Sequence, residues 1–458
     1  MSVSKDLDEV ATVGAAAREG LEEALSSTDV TLEPQKHRIL DKWSYLFAWM
    51  GGCVSIGTFA MGSSIVGTLN LVQASVAMAI GCIVIGIALT INDQAGHAYG
   101  IPFIVQARSS FGFGGVKIPG LIRAVPAIVW FGFQSWIGAG ALNQVSATLI
   151  GFDNLIFYFI LFQVLQVALS MLGFQGIKWL ENIGCVFILA SLVYMFYSVV
   201  TKYGGAIGGS ITNLEGTWGV PFWNATMLFL GIYATMILNV SDYSRELVTN
   251  VRPAHKCSIY VMAILPATMF MGLIGLMVSG ATGIADPIKV FSSAVDNKVL
   301  LVVTLLFIAF AQITTNVLNN VVPPALVLVD AFKISYKKAA VVVGLISFGT
   351  FPWELVKDES AAGLQLFVEV YSAFLGPLFA ILAVDYYLLR RQKLNLDNLY
   401  KAGGPYRGVN WRAVIATLIG VAFAFAFMSV SWYASLIPAG IIYYALMRMG
   451  GSANRFME

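Results

Sequence analysis

The sequence has little charge. Only 11% of its 458 residues are Asp, Glu, Lys or Arg, compared with about a quarter in soluble globular domains. Hydrophobic residues make up 58% and the mean hydropathy is +0.78, so the composition excludes an ordinary soluble fold and predicts a protein with several membrane spans. The net charge of +2 implies nothing about a partner, because in a membrane protein the distribution of charge matters more than its total. No basic block carries interleaved aromatic residues, which argues against a nucleic-acid partner.

Cysteine is also scarce. Cys53, Cys82, Cys185 and Cys257 lie in or at the ends of apolar segments, without the paired spacing of a disulfide or metal site. We interpret them as small core residues. No nucleophile, metal cluster or acid pair converges in the sequence, and no polar insert is long enough to hold an active site. We therefore expect neither an enzyme nor a protein with a cofactor.

Long apolar runs fill most of the chain. At about 20 residues per crossing, they predict twelve helices, near residues 43–68, 71–92, 124–149, 155–176, 183–201, 222–241, 257–280, 299–329, 339–356, 361–385, 412–430 and 432–448. With both termini inside, 23 of the 27 Lys and Arg residues fall in inside segments and only 4 outside. Because cytoplasmic loops carry the excess of basic residues, we expect both termini to be cytoplasmic.

The eighth predicted span carries an unusual polar run, AQITTNVLNN, at residues 311–320. Polar groups are costly in hydrocarbon unless they face a cavity, an ion or a solute. Ala311, Thr314 and Thr315 follow helical spacing and share one face. Two hydroxyls and a carbonyl would suit a hard cation such as Na+, by analogy with other hard cations. Alternatively, the threonine hydroxyls bond back to their own helix.

Two other spans offer binding chemistry. Four glycines between residues 51 and 62 crowd the first span, where a helix break would expose carbonyls to an ion or solute. Close helix packing is the alternative. In the third span, Trp130 and Gln134 share a face, and they offer a flat surface for a planar ring and a carboxamide for its edge. The alternative is an interface aromatic and a bond between helices.

Few ionisable residues fall near the spans. Glu369 is the only acid well inside a predicted helix, where it is either a proton site or a buried partner of a polar group. Asp242 and Arg245 end the sixth span and suggest a structural ion pair or gate rather than a proton carrier. Tyr233 in that span is a candidate second aromatic wall.

Five motifs, in order, resemble the nucleobase–cation symporter-1 family, which includes hydantoin, allantoin, cytosine and purine-cytosine permeases. They are GIPFIVQARSSFG, IRAVPAIVWFGFQSWIGAGAL, LNVSDYSR, AQITTNVLNNVVPPAL, and DYYLLRRQ with DNLYKAGGPYRGVNW. The resemblance runs from about residue 41 to residue 447.

The resemblance implies the overall arrangement. The first ten of twelve helices would form two inverted five-helix repeats of the leucine-transporter type, and the last two would be peripheral. The transporter domain would span residues 41–448, between a disordered cytoplasmic tail at 1–40 and a short cytoplasmic tail at 449–458. A monomer in the plasma or inner membrane is expected, with substrate held between a four-helix bundle and a hash motif.

The resemblance also implies two sites. Trp130 would stack on the substrate ring and Gln134 would bond its edge, with Tyr233 as a second wall. Asn320, with Asn316 one turn earlier, would also bind the substrate. The implied Na+ ligands are the carbonyl oxygens of Gly51, Val54 and Ala311 and the hydroxyls of Thr314 and Thr315.

Two departures from the hydantoin and allantoin carriers guide the substrate prediction. Ser55 stands where those carriers usually have Gln, and Tyr233 replaces Trp. We therefore expect a symporter that imports cytosine or a purine with Na+ by alternating access. The alternatives are a hydantoin or allantoin permease and coupling to H+.

One geometric difficulty concerns the eighth span. On a straight helix Asn320 lies about 180° from Ala311, whereas Asn319 lies about 80° away. Either the helix is locally distorted or ion and substrate use different faces, and Asn319 is the fallback for Asn320. We also expect residues 362–367, at the start of the tenth span, to form the outer gate.

Overall fold

The computed structural model describes residues 32–171, 190, 193–284, 289, 297–356, 362–449 and 454–457. Within these ranges the chain is helical and forms no β-strand, only an isolated bridge between Leu40 and Leu247. The predicted all-α class is therefore confirmed.

The longer helices give the fold its architecture. They are, in chain order, α1 (Lys42–Cys53), α2 (Ile56–Ser64), α3 (Leu71–Tyr99), α4 (Lys117–Ile150), α5 (Leu155–Ser170), α6 (193–207), α7 (Val220–Leu238), α8 (Pro253–Thr282), α9 (Lys298–Asn316), α10 (Val322–Phe332), α11 (Tyr336–Phe348), α12 (Ala362–Ala383), α13 (Trp411–Ala426) and α14 (Ser431–Arg448). The shorter elements between them are helices at Phe103–Gln106, Arg108–Gly115, Ser241–Ser244 and Leu396–Tyr400, π turns at Gly208–Thr212, Val317–Val321 and Val384–Leu389, and 3-10 turns at Pro352–Val356, Met428–Val430 and Arg455–Met457.

Seven helical stretches in the described ranges are long and apolar enough to cross a membrane, and the bent pair α1–α2 makes eight. One stretch, Lys298–Phe332, joins α9 to α10. The helices α5 and α13 are apolar but shorter, and the predicted span at 183–201 lies partly outside the described residues. The chain is thus a multi-span membrane protein, while the number twelve stays a prediction.

The first span is interrupted between α1 and α2. The two helices meet at 49°, because Val54 and Ser55 leave the helical conformation, with Ser55 extended at φ −111° and ψ 135°. The Ser55 hydroxyl accepts a hydrogen bond from the Gly57 N–H at 3.1 Å, so it caps the start of α2. The interruption that the glycine pattern suggested is therefore present.

The same span packs closely against α8. A β-carbon at Gly62 would overlap the Gly272 carbonyl, and one at Gly275 would overlap the Phe59 carbonyl. Small residues let two backbones approach in this way. Both features that the sequence left open, a helix break and close packing at a glycine, are therefore present in this span.

The polar eighth span contains a π turn at Val317–Val321, between α9 and α10. Pro323 and Pro324 follow it at the start of α10. Because proline has no N–H, Pro323 cannot donate to the carbonyl of Asn319 four residues earlier. That carbonyl instead accepts a hydrogen bond from Arg123 Nη2 at 3.0 Å.

Segments from both predicted tails pack on the membrane domain. Gln35 donates from its backbone to the Gly100 carbonyl at 2.8 Å and from its side chain to Glu246 at 3.0 Å. Burial raises the pKa of the Glu246 carboxyl, while the neighbouring Arg245 acts in the opposite direction. Near the other end, Arg390 Nη2 donates to the Phe456 carbonyl at 2.7 Å. Of the tail predicted at residues 1–40, residues 1–31 lie outside the described ranges, whereas residues 32–40 are described.

Candidate functional site

A small cavity lies at the break between α1 and α2, where α4, α7 and the π turn after α9 meet it. Its free volume is about 20 Å³, room for about one water molecule. A heterocyclic ring can therefore enter only if the walls move apart. The lining residues are Gly52, Ser55, Trp130, Gln134, Ile232, Tyr233, Thr235, Met236, Thr315, Asn319 and Asn320.

Trp130 lies against the first turn of α2. A β-carbon on Gly57 would be 2.5 Å from Trp130 Cη2, so only glycine leaves room for the indole there. The Trp130 ring also contacts Phe133 and Phe367, with centroids 5.4 and 6.0 Å away. Phe367 belongs to the segment that the sequence suggested as an outer gate, so that segment contacts the cavity wall.

Gln134, one turn after Trp130, faces Ser55 across the cavity. Its Nε2 donates to the Ser55 hydroxyl oxygen at a long 3.4 Å. Its Oε1 is buried and has no hydrogen-bond partner in the described part of the chain. A buried carbonyl oxygen without a donor costs about 1–3 kcal/mol, so this atom is suited to accept a hydrogen bond from a bound molecule.

Tyr233 lines the cavity as a second aromatic wall, but its hydroxyl is already bonded. It donates to the Cys53 carbonyl at 2.9 Å and lies 3.0 Å from Thr268 Oγ1. The phenol thus connects α7 to the end of α1 and to α8. Its ring, rather than its hydroxyl, is available to a ligand.

The asparagines at the end of α9 and in the π turn divide their roles. Asn320 and Asn319 line the cavity, whereas Asn316 lies behind it and donates to Phe131, Ser135 and Gln166 at 2.9–3.2 Å. Asn316 therefore does not face the cavity directly. Its Oδ1 accepts from Asn320 Nδ2 at 2.7 Å, so it holds the residue that does.

The π turn removes the geometric difficulty of this span. A π turn adds one residue to a helical turn, and one residue corresponds to about 100° of rotation. Asn320 is thereby brought from the far side of the helix toward the face of Ala311 and Thr315. Of the two explanations left open by the sequence, local distortion is the one present.

Part of the predicted Na+ ligand set lies at the same helix break. The Thr315 hydroxyl lies 3.1 Å from the carbonyl oxygens of both Gly51 and Val54, and the Thr314 hydroxyl donates to the Ala311 carbonyl at 3.1 Å. Thr314 therefore makes the back-bond that the sequence allowed, while Thr315 links two spans. All these candidate ligand atoms are neutral oxygens, the ligand type that hard cations accept.

Arg123 lies at the centre of a buried hydrogen-bond network beside the cavity. This network was not predicted from the sequence. The Arg123 guanidinium is fully buried and donates to Asn239 Oδ1 at 2.6 Å and to the Asn319 carbonyl at 3.0 Å. Asn239 in turn donates to Asp242 at 3.1 Å. Pro323 indicates that the Asn319 carbonyl lacks its helical donor. The sequence does not show that the replacement donor is Arg123, which lies 196 residues earlier in the chain.

The acids that the sequence analysis considered have structural partners. Asp242 accepts from the Phe103 N–H at 2.8 Å, and Arg245 forms an ion pair with Glu246 at 3.4 Å. Glu369 Oε1 accepts from Asn224 at 2.9 Å and Gln365 at 3.2 Å. Two roles were considered for Glu369, a proton site and a buried partner of a polar group. These contacts fit the second role.

Three of the four cysteines lie in the described residues. Cys53, Cys82 and Cys257 form no disulfide with one another, and Cys185 lies outside the described ranges. The described residues form no group of three or more His, Cys, Asp or Glu side chains that could hold a metal ion.

Comparison with known proteins places the chain among permeases. The family model described as "Permease for cytosine/purines, uracil, thiamine, allantoin" matches residues 33–447. A hydantoin permease of Microbacterium maritypicum is 27% identical over 93% of this chain and 90% of its own length. An allantoin permease of Bacillus subtilis is 27% identical over 95% of each chain.

The fold is also similar to that of a solved transporter. A nucleobase-cation-symport-1 family transporter, in a closed conformation with bromovinylhydantoin bound, superposes with a TM-score of 0.86 at 26% identity. The match covers 93% of this chain and 96% of that one. Sequence and fold comparisons therefore agree along almost the whole described chain.

Proposed function

The chain belongs to the family of permeases for cytosine/purines, uracil, thiamine and allantoin, and on that premise we propose that it imports a planar nitrogen heterocycle with Na+ by alternating access. It is a membrane transporter rather than an enzyme. The proposed substrate is a nucleobase or a cyclic ureide such as hydantoin or allantoin. The relatives' names span both classes, so they do not favour cytosine or a purine in particular.

The observation that carries the proposal is the contact between Thr315 and the broken first span. Its hydroxyl reaches the Gly51 and Val54 carbonyls at 3.1 Å, and Ser55, the next residue along, lines the cavity. Proposed ion ligands and proposed substrate contacts thus share one helix break. A cation there would hold α9 to α1 and so shape the cavity wall.

This arrangement would make coupling reciprocal. If Na+ raises the affinity for the heterocycle, the heterocycle must raise the affinity for Na+ by the same factor. In our proposal Trp130 stacks on the ring, and Gln134 and Asn320 bond its edge. The narrow cavity supports a closed arrangement, and the similar solved transporter is also in a closed conformation.

We further propose twelve crossings, with both termini on the cytoplasmic side of the plasma or inner membrane, arranged as two inverted repeats and two peripheral helices. The proposed working unit is a monomer. The strong bias of Lys and Arg toward the predicted inside segments supports this topology. The end of α7 and the start of α4, which meet at Arg123, would then lie on the cytoplasmic side of the cavity.

Transport by reconstituted protein tests the function. Proteoliposomes would be prepared with an inward Na+ gradient, with an inward H+ gradient, or with neither. Uptake of radiolabelled uracil, cytosine, hydantoin and allantoin would then be measured. We expect at least one ring to accumulate above its outside concentration only with Na+. Accumulation driven by H+ alone would reject Na+ coupling, and no accumulation of any ring would reject the proposed substrate class.

A further inference from the structure

A chain of buried hydrogen bonds runs from α5 to the cavity wall. Its members are Gln166 on α5, Ser135 on α4, Asn316 on α9 and Asn320 in the π turn, and all are at most 4% exposed. Each carboxamide could in principle point its oxygen or its NH2 group either way. Backbone carbonyls, which can only accept hydrogen bonds, flank Gln166 and Asn316 and set their directions, and Asn316 in turn sets that of Asn320.

Ser135 and Gln166 set the first direction. The Ser135 hydroxyl donates its single hydrogen to the Phe131 carbonyl at 2.6 Å, so its oxygen can only accept from other groups. Gln166 Nε2 lies 2.8 Å from that oxygen and 3.2 Å from the Phe162 carbonyl. Both neighbours are acceptors, so the NH2 group of Gln166 must face them and its Oε1 must face Asn316.

Asn316 passes this direction on. Its Nδ2 lies 2.9 Å from Gln166 Oε1 and 3.0 Å from the Phe131 carbonyl, two acceptors that require the NH2 group on that side. Its Oδ1 therefore points toward the π turn and accepts from Asn320 Nδ2 at 2.7 Å. Because Asn320 uses its NH2 group in this bond, its Oδ1 is the atom left for the cavity.

Gln134 on α4 presents the same polarity to the cavity. Its Nε2 is directed to Ser55, and its buried Oε1 has no partner among the described residues. The cavity thus carries two carboxamide oxygens that need hydrogen-bond donors. A ring edge made of lone pairs would leave both oxygens without a partner, whereas an edge with N–H groups would satisfy them.

We propose that Gln166 and Ser135 are positioning residues that fix the Asn320 carboxamide oxygen toward the cavity, so that the transporter selects rings with at least two N–H donors, as in a cyclic ureide or imide. This inference rests on the proposed function, because it takes the cavity to be the substrate site. Neither positioning residue touches the ring. They act by preventing Asn320 from turning its NH2 group inward.

Ligand binding to the full-length purified protein tests the proposal. Thermal shift in Na+ would give apparent affinities for uracil, hydantoin and their N,N′-dimethyl derivatives, which keep the ring but lose the N–H donors. We expect the natural sequence to bind the parent rings at least about tenfold more tightly than the dimethyl forms. This affinity ratio corresponds to about 1.4 kcal/mol of binding free energy. In Gln166→Met, which keeps side-chain length but removes the polar atoms, this ratio should fall toward one.

Gln163→Met is the matched control. Gln163 lies on the same helix, is equally buried, and accepts from Ser347 rather than contacting Asn316, so the ratio should stay at its natural value.

If Gln166→Met does not fold, Ser135→Ala removes the fixed acceptor more gently and should lower the ratio as well. An unchanged ratio in the folded variant overturns the inference while the proposed function stands. Failure of every ring to bind the natural sequence overturns both.

Discussion

Gly57 and Trp130 form a contact that only glycine permits, because a β-carbon at residue 57 would be 2.5 Å from the indole Cη2. The position of the proposed stacking surface therefore depends on a residue in a different span. Gly57 lies inside α2, where alanine would favour the helix by about 1 kcal/mol. Steric displacement of the indole is thus separable from loss of helix stability.

We expect Gly57→Ala to weaken binding of the preferred ring at least about tenfold, the effect of losing about 1.4 kcal/mol of stacking and contact, with little change in melting temperature. Thermal shift with ligand in Na+ measures both quantities. Gly205→Ala in α6 is the control, because a β-carbon there has no atom within 4 Å. Natural affinity in Gly57→Ala would show that the indole does not support the ligand.

Thr315 tests the proposed ion site. Thr315→Val keeps the side-chain shape but leaves the Gly51 and Val54 carbonyls without their hydroxyl donor and removes one proposed Na+ ligand. Because a buried acceptor without a donor costs about 1–3 kcal/mol, a lower melting temperature is expected. The sharper expectation is that Na+ no longer tightens ligand binding.

Thermal shift over a Na+ titration, with and without ligand, measures that coupling. Thr304→Val on the same helix is the control, since Thr304 is buried but does not line the cavity. Equal Na+ dependence in Thr315→Val and in the natural sequence would remove Thr315 from the ion site.

Arg123 is expected to hold the cavity closed on its proposed cytoplasmic side. Arg123→Gln would remove the donors that Asn239 and the Asn319 carbonyl accept from, at a cost of about 1–3 kcal/mol for each acceptor left unpaired. The closed arrangement should therefore become less populated than in the natural sequence.

Thiol labelling from the cytoplasmic side measures this opening. With the native cysteines replaced, Met236→Cys places a thiol in the cavity wall, and Arg123→Gln should speed its reaction with a membrane-impermeant reagent several-fold. The exposed Arg252→Gln controls for loss of one positive charge. Slower or equal labelling in Arg123→Gln would rule out a closing role.

The sequence was sufficient for features that depend on local spacing. Helical class, the broken first span and the common face of Trp130 and Gln134 follow from patterns within one or two turns. A straight helix misplaces Asn320, because the π turn departs from the regular period. Arg123 was missed for a different reason, since its role requires a carbonyl freed by Pro323 in a distant span. Contacts between spans are absent from any local pattern.

Glu369 separates Na+ coupling from H+ coupling. Its Oε1 accepts hydrogen bonds from Asn224 and Gln365, and the amide oxygen of Glu369→Gln can accept both while losing the ability to release a proton. If the acid serves only as a partner for these amides, the Gln variant should retain most Na+-driven uptake.

Glu369→Leu removes the acceptor altogether and should lower the melting temperature, because Gln365 and Asn224 each lose a bond worth about 1 kcal/mol. Uptake in proteoliposomes under separate Na+ and H+ gradients measures the outcome. A Gln variant that keeps its melting temperature but loses all uptake would identify Glu369 as a proton carrier and replace Na+ with H+ in the proposed mechanism.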